Sequence, residues 1–345
     1  MSTLRSMWPG APSPAAAWTH AAHAADWGRA APLSAPGVEW MHFVVVGADF
    51  RLLVNLSLRR EGGGPVGRAY VAVWDGREWC GGAHRVPPDR MEVRAGRVDA
   101  FFGEVSMRAV ADGYALRLHP EGTGVDAELV LQPEAAPLAA SHLRLPDSGV
   151  FHWLAVPRLR VVRGVVRAPW SRDISGLYAY HDHNWGSFDL GGDFAWEWSF
   201  ALPADGEGRL AVMMMRVADR ARTRTLVQGL ALWRDEQLWR DFRADELTFS
   251  RDGRHRGPIH RTPALDVTGV MLAASVPARW NCRAQGGEDE LDVVASADGA
   301  TQLLIPAGDR LVRITECAAT VRVRGGVRGV RFDESLCGML EVLDG

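Results

Sequence analysis

The sequence predicts an all-β protein in two domains, and three observations carry that prediction. Short stretches of branched and alternating apolar residues recur at hairpin spacing, punctuated by Gly, Asp and Pro. No stretch reads as a long helix, and no β-α-β alternation marks a nucleotide-binding sheet or an α/β barrel. With 345 residues the chain exceeds the size at which one core usually stops growing.

In chain order, residues 15–25 fit a short helix confined by Pro and Gly on both sides. From Glu39 onward the pattern is strands: residues 43–46, residues 51–58, and residues 68–74, where Ala69, Val71 and Val73 alternate with Tyr70 and Trp74. Residues 105–118 read as a hairpin pivoting on Asp112-Gly113. The same grammar gives hairpins over 158–167 around Gly164, over 194–217 around Asp205-Gly206 and over 226–239 around Arg234-Asp235. The Pro-rich residues 132–149 read as a long loop. Gly62-x-Gly64-x-x-Gly67 formally matches a dinucleotide fingerprint, but it lies between two strands and Pro65 removes a backbone donor, so it reads as a hairpin loop. The strand grammar restarts after residues 189–192, which sets an N-terminal domain at 1–190 and a C-terminal domain at 191–345. Spacing of this kind suits barrels and sandwiches alike.

Composition narrows the function. Hydrophobic residues make up 47% and charged residues 23%, ordinary globular values. No run approaches the roughly 18–20 apolar residues of a membrane span, and no signal-peptide stretch follows Met1, so the expected location is the cytoplasm. A net charge of -3 with scattered Arg offers nucleic acid no basic stripe. Cys80, Cys282, Cys317 and Cys337 form no C-x-x-C and read as reduced, mostly buried thiols. All 39 cationic residues are Arg, which excludes a lysine Schiff base, a pyridoxal-phosphate linkage and a P-loop lysine.

The densest chemistry is Tyr178-Ala179-Tyr180-His181-Asp182-His183-Asn184-Trp185-Gly186. If extended, it puts Tyr180, Asp182 and Asn184 on one face and His181, His183 and Trp185 on the other. Tyr180 with Asp182 makes a hydrogen-bonded acid pair in which burial favours proton donation, and Asp182 is the candidate acid. Two other readings stay open: the polar groups simply pin two elements together, or His181-x-His183 supplies two metal ligands and awaits a third from elsewhere. Downstream, Phe194, Trp196 and Trp198 share one strand face and Glu197 lies opposite. The pair His152-Trp153, the cluster Glu39-Trp40-Met41-His42-Phe43 and the run 213–215 of Met offer pocket lining or plain core.

At these residues the sequence resembles the family that joins carotenoid 1,2-hydratases, AttH-type proteins and lipocalin-like pericyclases. The family marker Tyr-His-Asp-His-Asn-Trp-Gly stands intact at Tyr180 to Gly186, followed by a Trp-x-Trp strand at Trp196 and Trp198 and preceded by an aromatic strand that Glu39 to Phe43 resemble. A Glu, a Gly turn and a second Glu resemble Glu316, Gly325-Gly326 and Glu334. The hydratases carry His-x-Trp near Phe151-His152-Trp153; here either Phe151 takes the His place or the His-Trp pair is adjacent. Met41-His42 also replaces aromatic residues.

The resemblance implies two tandem lipocalin-like (calycin) antiparallel barrels, no cofactor, and an apolar polyene, polyketide or terpenoid as substrate. The expected activity is a cyclase, including a [4+2] pericyclase, acting by confinement and by a hydrogen bond to an activating carbonyl. Hydration of a terminal alkene and non-catalytic carriage of lipid or pigment are the alternatives. Catalytic roles fall to Asp182, Tyr180, His181 and His183. Substrate contacts fall to Trp185, Asn184, Trp196, Trp198, Glu39, Trp40, His152 and Trp153, with no metal; oligomeric state stays open.

Overall fold

The computed structural model describes residues 37–61, 64–94, 98–135, 137–145, 149–188, 194–204, 206–262, 276–307 and 310–344. The expected helix at 15–25 and the joint at 189–192 lie outside them. The chain divides into two compact units: Met1–Val45, Arg51–Val73 and Cys80–Gly192 form the first, and Val46–Phe50, Trp74–Trp79 and Asp193–Gly345 form the second. Among the described residues, regular structure is strand apart from two single 3-10 turns, and no helix is long and apolar enough to cross a membrane.

The first sheet contains β1 (Val38–Gly47), β2 (Phe50–Glu61), β3 (Gly64–Trp74), β4 (Trp79–Val86), β5 (Met91–Val93), β6 (Asp99–Phe102) and β7 (Val105–Val110). It continues with β8 (Gly113–Leu118), β9 (Asp126–Pro133), β10 (Leu138–Leu145), β11 (Gly149–Arg167), β12 (Ser171–Asp173) and β13 (Tyr178–Phe188). Its order is β4-β3-β2-β1-β13-β11-β9-β8-β7-β6-β5, with β10 and β12 attached to β11. On β8 and β9 buried Tyr114, Leu116, Leu129 and Leu131 alternate with outward Arg117 and Glu128, the period-2 signature of a half-solvated sheet. The inner face curls. Phe43 on β1 and Tyr114 on β8 stand four places apart in the order, about 19 Å across a flat sheet, yet their rings are 5.7 Å apart.

Two expectations for this sheet are corrected. Residues 132–149 are not a long loop, because β10 pairs antiparallel with β11 across a bulge between Ala140 and Leu143. Residues 158–167 are not a hairpin but the second half of the single 19-residue strand β11. Two register shifts, between Val156 and Leu159 and between Val161 and Arg163, absorb what the sequence presents as breakers. Gly164 marks close packing rather than a turn: a Cβ there would lie 2.7 Å from Val161 and 2.8 Å from Ile174.

The second sheet contains β14 (Phe194–Leu202), β15 (Leu210–Asp219), β16 (Thr225–Arg234), β17 (Gln237–Arg243) and β18 (Leu247–Arg254). It adds β19 (Ile259–Thr262), β20 (Pro277–Gly286), β21 (Asp289–Ala307), β22 (Arg310–Val327) and β23 (Val330–Asp344). The order is β17-β16-β15-β14-β23-β22-β21-β20-β18, antiparallel except that β19 pairs parallel with β21. One apolar core takes Ala201, Val212, Leu232, Phe242, Trp280, Val293, Val321 and Leu340, so strands from the whole order wrap one lumen. Above that core Glu197 accepts hydrogen bonds from Arg222 at 2.9 Å and from Arg251. Arg251 sits on β18, five places from β14 in the order, and its pair with Glu197 crosses the lumen. All four cysteines are free thiols; burial pushes the Cys282 and Cys317 thiols up, while Cys80 and Cys337 are half-buried.

Candidate functional site

Strand β13 is regular, so its side chains separate by parity into two sets. On the Asp182 face, Tyr180 donates its hydroxyl to Asp182 Oδ2 at 3.0 Å and Asn184 Nδ2 donates to Asp182 Oδ1 at 2.5 Å. Tyr180, Asp182 and Asn184 are all buried. The carboxylate thus has a donor on each oxygen, both from its own strand. The register with β11 sets Ala155 opposite Asp182, Trp153 opposite Asn184 and Phe151 opposite Gly186.

Farther along this face Trp40, Phe151 and Phe188 form an aromatic triad with centroid separations of 6.1, 5.9 and 5.4 Å. Gly186 makes room for it: a Cβ there would lie 2.1 Å from the Val150 carbonyl oxygen and 3.0 Å from Phe188. By alternation from Trp40, His42 belongs to this face too. Burial, and then the neighbouring His181, push its pKa down to about 3, so the imidazole is neutral.

The other face of β13 looks into the curled sheet. His183 Nε2 donates to Glu39 Oε1 at 3.0 Å, with both groups buried. His181 Nδ1 donates to the backbone carbonyl of His42 at 2.9 Å. Phe43 stacks on His181 at 3.8 Å and Tyr114 meets it edge-on at 5.1 Å. Trp185 lies 4.9 Å from His183 and stacks on His152 at 5.3 Å.

The four residues expected to be catalytic therefore do not converge. Tyr180 and Asp182 work on one face, and His181 and His183 are tied to β1 on the other. The register also separates residues 151–153: His152 faces inward with Trp185, and Phe151 and Trp153 share the face of Asp182.

Trp196 and Trp198 belong to β14 of the second unit. Phe194 and Trp196 stack at 5.8 Å, and Trp198 lies 5.2 Å from Phe200. The Trp196 indole donates to Glu341. Glu341 stands opposite Glu316 in the β22–β23 ladder, whereas Glu334 stands opposite Val323, so the acid that accompanies Glu316 is Glu341 and not Glu334. Burial raises the Glu341 carboxyl, against the opposing pull of hydrogen bonds from Glu316 and Trp196. Sequence reading missed Phe188 beside Trp40 and Phe151 in the first unit, and Glu341 beside Trp196 in the second.

No protein-family model and no curated protein matches the sequence. Solved structures do resemble it. A protein from Nitrosomonas europaea assigned as AttH aligns with a TM-score of 0.57 at 15% identity, covering 88% of this chain and 92% of that one. Kievitone hydratase from Nectria haematococca aligns with a TM-score of 0.56 at 11% identity, covering 94% and 93%. CghA with Sch210972 aligns with a TM-score of 0.54 at 11% identity, covering 90% and 88%. These neighbours match the family that the heptapeptide resembles, and the chain has the lipocalin-like fold of AttH.

Proposed function

We propose that the protein is a cofactor-independent cyclase that holds a linear unsaturated molecule along the Asp182 face and closes it into a ring. One observation carries this reading: both oxygens of Asp182 are engaged by donors, Tyr180 and Asn184, while the flanking β11 positions are Phe151, Trp153 and Ala155. A carboxylate so engaged is arranged to accept and to orient, and it fixes the Asn184 amide, whose second N–H can polarise a substrate carbonyl. The aromatic neighbours supply a wall on which a polyene packs in near-attack geometry. The β11 neighbours Phe151, Trp153 and Ala155 carry no group that could activate water. That favours cyclisation over hydration, in which one group must deliver a proton to the alkene and another must activate water.

Product mass tests the choice. Incubation with candidate polyketide or terpenoid polyenes is expected to give an isomer of the starting material; a product heavier by one water would establish the hydratase, and unchanged ligand a carrier. Asp182→Asn is expected to lower turnover about tenfold, because confinement persists, with a larger loss on adding Tyr180→Phe. Loss of essentially all turnover in a folded Asp182→Asn protein would return Asp182 to the role of proton donor.

A further inference from the structure

The Glu197 end of the second barrel holds a chain of five charges. Arg251 on β18 donates to Glu197 Oε1 on β14, which also accepts from Arg222 Nε at 2.9 Å. Arg222 lies 2.7 Å from Asp344 Oδ1, and Asp344 Oδ2 accepts from Arg313 on β22 at 3.1 Å. Cation and anion alternate, so the chain begins and ends on a guanidinium. Val342 stands opposite Glu197, and Asp344, two residues on, stands opposite Arg313. The chain therefore shares the face of Val342, a member of the apolar core, and caps that core at one end.

The terminal arginines are lightly engaged. Glu197 is the sole hydrogen-bond partner of the Arg251 guanidinium among the described residues. Asp344 is the sole partner of the Arg313 guanidinium among them, and Arg313 Nε is buried without a hydrogen bond. Arg222, by contrast, is taken up by Glu197, Asp344 and the Leu343 carbonyl. Side-chain exposure is 18% at Arg222 and Arg313 and 30% at Arg251, so solvent reaches the chain but screens it incompletely. Crowding shows on Arg251: burial, and then repulsion from Arg222, hold its pKa below the usual arginine value although Glu197 and Asp344 pull the other way.

We propose that this end of the second barrel is a binding site for a small oxyanion, a carboxylate or phosphate group, held by Arg313. Three guanidiniums face two carboxylates in the chain, and a bound oxyanion supplies the missing negative charge. It also gives Nη1 and Nε of Arg313 the acceptor that Asp344, shared with Arg222, does not provide. The site lies wholly in the second unit and is independent of the reading of the Asp182 face.

The test is calorimetric titration of inorganic phosphate, and in parallel of acetate, into the full chain at constant ionic strength in sodium chloride. Phosphate is expected to bind at one site with a Kd on the order of 1 mM, and acetate about tenfold more weakly because it carries less charge. Arg313→Gln should weaken phosphate at least about tenfold. Asp344 keeps Arg222 as its partner in that variant, and a urea midpoint measured alongside reports the fold. Arg313→Lys keeps the charge, loses the planar fork and should fall between the two. Arg322→Gln removes an exposed guanidinium that pairs with Asp333, and it should leave phosphate binding unchanged. The assignment is overturned if the unaltered protein gives no saturable heat, if Arg313→Gln binds as before, or if Arg322→Gln abolishes binding. Where Arg313→Gln does not fold, Arg313→Lys decides, and full affinity in that variant overturns the assignment.

Discussion

Asp182 in the first unit and Glu197 in the second are both buried carboxylates on regular strands, and their partners differ in kind. Glu197 takes its hydrogen bonds from two guanidiniums, Arg222 and Arg251, separated from it by 25 and 54 residues. Asp182 takes its own from a phenol and an amide, each two residues away. The first arrangement neutralises charge and joins strands that lie far apart in the sheet order. The second links three side chains of one strand, and it uses buried hydrogen-bonding capacity to fix their orientation. Long-range ionic partners mark a framework; local neutral partners mark a group held ready for something else.

The largest effect expected from this contrast is the loss of stability on Glu197→Gln. Removing one member of a buried ion pair strands the other, which typically costs about 3–5 kcal/mol. Arg222 and Arg251 are 18% and 30% exposed, so solvent screening sets the expectation at the lower end, about 3 kcal/mol. Equilibrium urea unfolding reads this directly. A midpoint within error of the unaltered protein would mean that the lumen-crossing pair does not hold the barrel together.

A somewhat smaller effect is expected from pH. His42 has its pKa pushed from 6.5 down to about 3 by burial and by His181. Between those values the unfolded chain binds a proton that the folded one refuses, so stability is full above pH 6.5 and falls as the solution is acidified. The slope is about 1.4 kcal/mol per pH unit for one such group, or roughly 2 kcal/mol between pH 6 and pH 4.5. His42→Gln should flatten this part of the profile, measured as melting temperature against pH. An unchanged slope would place the acid sensitivity of the first unit elsewhere.

Much of the comparison was legible in the sequence, because β13 carries no bulge of its own and a period of two separates Tyr180, Asp182 and Asn184 from His181, His183 and Trp185 without further information. The all-β class was legible for the same reason, through alternation on strands such as β8 and β9. What stayed hidden depended on register or on distance along the chain. Glu39 reaches His183 across 144 residues, and no local pattern announces that. Phe151 and His152 exchange faces with a one-residue shift, so only the ladder with β13 tells which of them meets Asp182. The cluster of Arg158, Arg160, Glu134 and Tyr178 needed three segments brought together. Its strand was also obscured, because Gly164 reads as a turn signal while β11 runs on through it with a bulge nearby.

The smallest effect is the one that sharpens the comparison most: Asp182→Asn is expected to cost no more than about 1 kcal/mol in stability. The substitution is the same carboxylate-to-amide change as Glu197→Gln, at a residue almost as buried. At position 182 an amide can keep both hydrogen bonds. Its oxygen accepts from Asn184 Nδ2, and its nitrogen donates to the Tyr180 hydroxyl once that hydroxyl turns from donor to acceptor. Tyr180 and Asn184 are neutral donors that an amide can still satisfy, whereas Arg222 and Arg251 at Glu197 are cations that lose their counter-charge. Urea midpoints for the two variants, measured side by side, should therefore differ by about 2 kcal/mol in the cost of one chemical change. If Asp182→Asn instead unfolds as easily as Glu197→Gln, then the Tyr180–Asp182–Asn184 group belongs to the framework, and the search for the reacting groups moves to the inward face with Glu39 and His183.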